Sequence, residues 1–281
     1  MTQPASPGLL GDTAARDYAW KLRLFNAFAA PELRQAIASL ALQPGMRVLD
    51  AGCGTGEALG WLATEVEPDG MVVGMDLAGA HTTAARAVAP TGSAVMQADL
   101  LRLPFAPASF DLVWSVNTLN HVHDPVACLA DLAALLRPGG RIALGQSSLL
   151  PDMYFAWDAR LERLVNEAVR QYYRDRYQVS ERTLADVRAL VGRLRQAGLR
   201  NVTARTFMIE RLAPVSPADE AYLLDAIFRG SWGERLRPYL DADDYAEMLR
   251  LCDPAHAGFA LRRPDFHFLQ SFTLVVGGLQ G

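Results

Sequence analysis

Apolar positions along this chain fall into two periods. Between Thr13 and Leu42 they recur at helical spacing: Trp20, Leu24 and Phe28, then Leu33, Ile37 and Leu40, with Pro31 beginning the second of two helices. Pro44-Gly45 turns the chain, and short apolar runs bounded by turn residues take over at 47–50, 71–75, 94–97, 110–116 and 141–145. Helical patterns at 58–66, 80–88 and 124–136 separate them, the last capped by Asp124 with Pro125 in its first turn. Arg137-Pro138-Gly139-Gly140 reads as the turn into the fifth strand. Alternation of strand and helix at this spacing predicts βαβ units around a parallel sheet.

Beyond residue 149 the pattern changes. Residues 150–178 read as a helical segment carrying Met153, Tyr154, Phe155, Trp157, Tyr172, Tyr173 and Tyr177. Ser180 caps a helix expected over 183–197 that stops at Gly198, and a strand comes next at 201–209. A second helical stretch spans about 216–257, and 268–276 closes the chain as a strand. Met1 to Gly11 carries Pro4, Pro7, Gly8 and Gly11 and reads as a loose arm. The expected division is one domain over 1–281, with N-terminal helices at 1–43, a ligand-binding core at 44–149 and helical cap inserts at 150–180 and 214–262.

Candidate chemistry concentrates where the first strand meets the first helix of the sheet, in Val48-Leu49-Asp50-Ala51-Gly52-Cys53-Gly54-Thr55-Gly56-Glu57. Glycines at such a corner let the backbone approach a ligand closely, because no Cβ intervenes. A dinucleotide fingerprint wants G-x-G-x-x-G with a pyrophosphate on the helix N-terminus. Here the third glycine comes one place early, and Glu57 would repel a pyrophosphate. Asp50 suits a ligand bearing an ammonium group. Asp76 lies twenty residues beyond Gly56 (76 − 56 = 20), at the tip of the neighbouring strand, where a carboxylate can accept both ribose hydroxyls. Asp99 comes just after the third strand.

Composition narrows the partners. The 281 residues are 51% hydrophobic by type and carry a net charge of −4, so no strongly basic face for nucleic acid is implied. Cys53, Cys128 and Cys252 form neither a zinc spacing nor a disulfide framework, so no metal is expected and a reducing compartment is. No apolar run reaches the ~20 residues of a membrane span. The chain does not open on a basic region followed by an apolar stretch, so a cytoplasmic location is expected.

The D-x-G-x-G-x-G stretch resembles the first motif of class I S-adenosylmethionine (SAM) methyltransferases. Gln97-Ala98-Asp99-Leu100, Leu103-Pro104-Phe105 and Ser109-Phe110-Asp111-Leu112-Val113 resemble that family's adenine-binding and fourth motifs. Leu135-Leu136-Arg137-Pro138-Gly139-Gly140-Arg141 resembles its turn before strand five. The likeness runs over about residues 45–146 and is closest to small-molecule enzymes of the ubiquinone- and menaquinone-biosynthesis type. It implies an α/β, Rossmann-like, open seven-stranded, mostly parallel sheet with helices on both faces, here with helical cap inserts. It implies SAM as cofactor, S-adenosyl-L-homocysteine (SAH) as product, and a small-molecule substrate. Cofactor contacts would come from Asp50, Gly52, Cys53, Gly54 and Gly56, from Asp76 and Leu77, from Asp99 and Leu100, and from Asn117. The chain departs from the family after the ribose aspartate, where Ala78, His81 and Thr82 replace the usual serine and Met-Leu. His81 either stacks near adenine or is an exposed histidine on a helix.

Methyl transfer from a sulfonium is an in-line displacement, and an O- or N-acceptor that starts protonated also needs a base. Asn117, Asn120, His121 and His123 come after the fourth strand. His121 is the candidate catalytic residue; its other reading is a side chain that holds the loop by hydrogen bonds. The segment Asn117-Thr118-Leu119-Asn120 is not the motif of DNA amino-methyltransferases, and no cysteine lies there for pyrimidine-C5 chemistry. The expected reaction is methylation of a small, apolar or aromatic metabolite. The alternatives are a SAM-binding scaffold for another reaction, such as a natural-product cyclisation, and a SAM-binding protein without turnover. A pocket closed by Tyr154, Phe155, Trp157 and Trp232 would select the acceptor; otherwise these aromatics are the cap's own core. A homo-oligomer stays open.

Overall fold

In the computed structural model, which describes residues 10, 12–147, 153–180 and 186–279, the apolar runs pair into one seven-stranded sheet. Its strands are β1 (Arg47–Ala51), β2 (Met71–Asp76), β3 (Ala94–Gln97), β4 (Phe110–Val116), β5 (Leu136–Ser147), β6 (Arg200–Leu212) and β7 (His267–Gly278), in spatial order β3-β2-β1-β4-β5-β7-β6. β1 to β5 run parallel, and β7 is antiparallel to β5 and β6. The chain winds outward from β1 to β3, then returns to β4 on the other side of β1. Ligands of open α/β sheets bind at such a reversal, outside the carboxyl ends of the strands.

The helices are α1 (Ala19–Phe28), α2 (Ala30–Ala38), α3 (Glu57–Val66), α4 (Gly79–Val88), α5 (Pro125–Ala134), α6 (Ala159–Tyr177), α7 (Leu190–Gln196), α8 (Pro217–Ala221) and α9 (Ala242–Cys252). Successive strand residues face opposite ways. Val48, Val72 and Leu112 therefore join one core with Leu33, Ile37, Leu59 and Leu62. Leu49, Val73 and Val113 join a second with Leu129, Leu132, Leu190 and Leu194. Asp124 caps α5 by accepting from the Ala127 amide at 3.0 Å.

Several expected boundaries move. The first helix starts at Ala19 rather than Thr13, and Trp20 is 50% exposed instead of facing the core. The expected turn at 137–140 lies within β5, as an irregularity opposite Phe110–Leu112 with Gly139 at φ +77°. Part of the helix expected over 183–197 lies outside the described residues; the rest divides into a 3-10 turn, Asp186–Ala189, and α7.

The sheet also carries the cap. β5 pairs with β7 as far as Ser147 opposite Phe272, whereas the β6–β7 ribbon continues to Leu212 opposite His267. The projecting ribbon supports an aromatic cluster: Phe28 from α1, Phe155, Trp157, Phe268, and Tyr222, Phe228 and Trp232 from a π-helix, Tyr222–Trp232, that continues α8. Ring centroids lie 5.0 Å apart for Phe155–Phe268 and 5.3 Å for Phe155–Trp232.

Candidate functional site at the carboxyl ends of β1, β2 and β4

Gly52, Gly54 and Gly56 turn β1 into α3 with φ of +86°, +52° and +89°, conformations that favour glycine. Two of these glycines also answer to packing. A Cβ on Gly56 would lie 2.8 Å from the Ala85 Cα of α4, and one on Gly52 would lie 2.2 Å from the Thr118 hydroxyl oxygen. The Gly52 and Cys53 amides both donate to the Met75 carbonyl, at 2.8 and 2.9 Å, binding the loop to β2.

Three carboxylates gather around this loop. Asp50 is 2% exposed, and its Oδ2 has no partner among the described residues. Burial, reinforced by the charges of Asp76 and Glu57, pushes its pKa up to about 8. Asp76, at the tip of β2, accepts from the Gly54 amide (2.9 Å) and the Ala78 amide (2.9 Å), and its Oδ1 lies 3.2 Å from His81 Nδ1. Each carboxylate oxygen has two lone pairs, so Asp76 can still accept from a ligand. Glu57 opens α3 and accepts from Thr55 (2.7 Å) and Asn26 (2.6 Å). A carboxylate fixed at that helix entrance repels phosphate. Cys53 is buried, and burial raises its pKa far above the ordinary thiol value, so it stays a neutral packing group.

His81 is not the exposed helix histidine of one of the two readings. It is 2% exposed on the first turn of α4, its Nε2 has no partner among the described residues, and Tyr18 meets its ring edge-on at 4.5 Å. Tyr18 belongs to a segment leading into α1 that crosses this edge of the sheet. Ala14 accepts from the Gly79 amide at 3.1 Å, and Asp12 Oδ2 lies 2.5 Å from His121 Nδ1. Arg16 donates to Asp12 Oδ1 and to the Leu10 carbonyl, both at 2.7 Å, and covers the Tyr18 ring at 4.9 Å.

The remaining expected residues divide. Leu77 accepts from the Gln97 amide group at 3.0 Å, which ties β2 to β3, and Leu100 packs against the second core. Asp99 stands beyond β3 with Oδ1 taken by the Leu101 amide at 2.9 Å, a local loop bond. Asn117, at φ +52°, uses Oδ1 to accept from Gln146 Nε2, Ser147 N and Ser147 Oγ at 2.9–3.0 Å, so that oxygen joins β4 to β5. His121 ends a 3-10 turn, Leu119–His121, directly after β4. Thr118 and Asp12 were not among the expected residues. Thr118 lacks a distinctive motif, and Asp12 lies outside any helix and 109 positions from its partner.

The cap aromatics form core rather than an open pocket. Phe155, Trp157 and Trp232 are 2%, 9% and 1% exposed and pack on one another, while Tyr154 is half exposed and pairs with Leu269 in an isolated bridge. Among the described residues no group of three His, Cys, Asp or Glu side chains could hold a metal, and no helix is long and apolar enough to cross a membrane.

Residues 49–144 match a family described as a methyltransferase domain. Over 118 residues the chain is 38% identical to the 27-O-demethylrifamycin SV methyltransferase of Amycolatopsis mediterranei (strain S699), covering 40% of this chain and 43% of that protein. Over 113 residues it is 36% identical to the 2-phytyl-1,4-naphtoquinone methyltransferase of Thermosynechococcus vestitus (strain NIES-2133 / IAM M-273 / BP-1), covering 40% and 50%. The chain thus spans half or less of the length of these curated relatives. Among solved structures, the [4+2]-cyclase SpnF aligns with 98% of this chain and 97% of its own at a TM-score of 0.54 and 16% identity. That likeness concerns the fold alone, and a fold hosts more than one chemistry.

Proposed function

We propose that this chain, whose residues 49–144 match a methyltransferase domain, is a class I SAM-dependent methyltransferase that moves the methyl group of SAM onto a hydroxyl oxygen of a small apolar or aromatic metabolite. The observation that carries the reading is the glycine-walled, carboxylate-lined crevice at the sheet's reversal point. Its charge is negative, its helix entrance is closed to phosphate by Glu57, and Asp50 keeps a buried oxygen without a partner among the described residues. Such a cradle fits a ligand that carries cationic groups and a ribose, and it does not fit a dinucleotide. Asp76 is the ribose acceptor in this reading, held in place by the Gly54 and Ala78 amides. Asp50 faces the ammonium, and Asp99 and Leu100 border the adenine.

When bound, SAM supplies a methyl carbon on a sulfonium, and the C–S electron pair leaves with sulfur as the acceptor oxygen's pair forms the C–O bond. The chain's part is to position the acceptor and to take its proton. His121 is the titratable side chain on the turn after β4, beside the Thr118 that covers Gly52. A hydroxyl acceptor needs such a base, which favours oxygen over an already activated carbon. The relatives named above act on an O-demethyl compound and on a naphthoquinone, both small molecules, and that supports the same substrate class here. A cytoplasmic setting suits this substrate class.

Calorimetry tests the cofactor side. SAM and SAH bind and NAD does not. Asp76→Ala weakens SAM by at least roughly 10- to 100-fold, the equivalent of one charge-assisted hydrogen bond. Tight NAD binding, or unchanged SAM affinity in Asp76→Ala, would remove the crevice from this role.

A further inference from the structure

We propose that Asp12 is the positioning residue for His121, so that the proton-accepting group of the site is assembled from two distant parts of the chain; this rests on the methyl-transfer reading above. The two side chains meet at 2.5 Å between Asp12 Oδ2 and His121 Nδ1 and are 14% and 26% exposed. The other oxygen of Asp12 is held by Arg16, which is itself anchored on the Leu10 carbonyl and the Tyr18 ring. Asp12 is therefore fixed from both sides. Burial works to raise its pKa, but the hydrogen bond and charge of His121, together with Arg16, outweigh burial and leave it below the usual carboxylate range.

The consequence is chemical. An ionised carboxylate only accepts hydrogen bonds, so in the neutral ring Nδ1 must carry the proton. Nε2 is then left with its lone pair. The acceptor's O–H proton passes to Nε2, the freed oxygen pair takes the methyl carbon, and the imidazolium stands against Asp12 until solvent removes its proton. A carboxylate orients an imidazole and stabilises its cation in this way without itself being protonated. The segment that supplies Asp12 also reaches the cofactor side. It receives the Gly79 amide on Ala14 and sets Tyr18 against His81, whose Nδ1 lies beside Asp76 Oδ1. One strap thus organises the proton acceptor and braces the ribose-binding carboxylate together.

The test needs no substrate for its first arm. With 15N-labelled histidine, the His121 ring is assigned by its loss in His121→Gln, and its tautomer is read at a pH where the ring is neutral, with SAH present. The wild type shows the Nδ1–H tautomer, Asp12→Glu keeps it, and Asp12→Ala reverts to the Nε2–H form that free histidine prefers. An Nε2–H ring in the wild type, or one pattern shared by wild type and a folded Asp12→Ala, overturns the proposal. The second arm uses methyl-labelled SAM and an acceptor that the wild type methylates. Asp12→Asn, which keeps the side chain's shape, lowers kcat by roughly 100-fold or more, while SAM affinity by calorimetry stays unchanged. Unchanged kcat with a changed tautomer refutes the catalytic part. A wild type that orders His121 but methylates nothing refutes the methyl-transfer reading instead.

Discussion

Asp50→Asn should stabilise the ligand-free protein, by an amount that depends on pH. Asp50 is buried with one oxygen unpartnered among the described residues, and burial together with the charges of Asp76 and Glu57 moves its pKa from 3.8 up to about 8. The unfolded chain has released that proton by pH 7, whereas the folded chain retains it. At about 1.4 kcal/mol per unit, the penalty at pH 7 is on the order of 4 kcal/mol. The sign comes from the raised value. The contribution of Asp50 to stability is full below about pH 3.8, is lost as pH rises toward 8, and levels off above it. Asparagine abolishes the titration but still buries an amide without ideal partners, which returns roughly 1–3 kcal/mol. The net gain at pH 7 is about 1–3 kcal/mol, or roughly 2–5 °C in melting temperature for a chain of this size. Thermal unfolding of both proteins from pH 5 to 9, without ligand and in matched buffers, cancels the other titrating groups. The gap should widen between pH 5 and 8. A gap that is constant with pH, or a wild type that is the more stable at pH 8, would refute the reasoning.

Packing and burial set three further outcomes. Lys21, the chain's only lysine, bonds Ser231 of the π-helix, and burial together with Arg235 and Arg16 brings its pKa down to about 8; labelled lysine therefore gives one Nζ resonance titrating near 8, and titration near 10 would contradict that environment. Gly56→Ala places a Cβ 2.8 Å from the backbone of Ala85 at a φ of +89°, at a cost of about 2–4 kcal/mol read as a fall in melting temperature; an unshifted melt would show that α4 yields without strain. Trp232→Ala removes a 1%-exposed ring from the aromatic cluster and should cost about 3–5 kcal/mol; an unchanged melt would return Trp232 to the lining of an acceptor pocket.

The alternating sheet was legible in the sequence because strand and helix periods differ, and because Gly and Pro mark the corners between them. Asp76 could be placed at the tip of β2 from its spacing to Gly56, since one βαβ unit has a nearly fixed length. What spacing cannot carry is contact across the fold. Gly56 reads as a ligand-approach glycine, yet its missing Cβ makes room for Ala85, a residue of another helix. His121 reads as a lone titratable side chain because its partner lies on a segment with no periodicity. The cap shows the same limit. Phe155 and Trp232 look alike as core or as pocket wall until the β6–β7 ribbon brings them together with Phe268. Trp20 keeps the helical spacing of its neighbours but falls at the first turn of α1, where half of its surface faces solvent.

Whether a methyl group leaves SAM for a small hydroxylated acceptor is read from transfer of label. The full chain is incubated with SAM carrying an isotopically labelled methyl and a panel of hydroxylated polyketides, quinols and phenols, and products are read by mass. One acceptor should gain a labelled methyl on oxygen in step with SAH formation, and Asp76→Ala and His121→Gln should both lose the signal. Binding of SAM by calorimetry with no labelled acceptor and no SAH formed, or conversion of a panel member to an unlabelled isomer, would contradict that transfer.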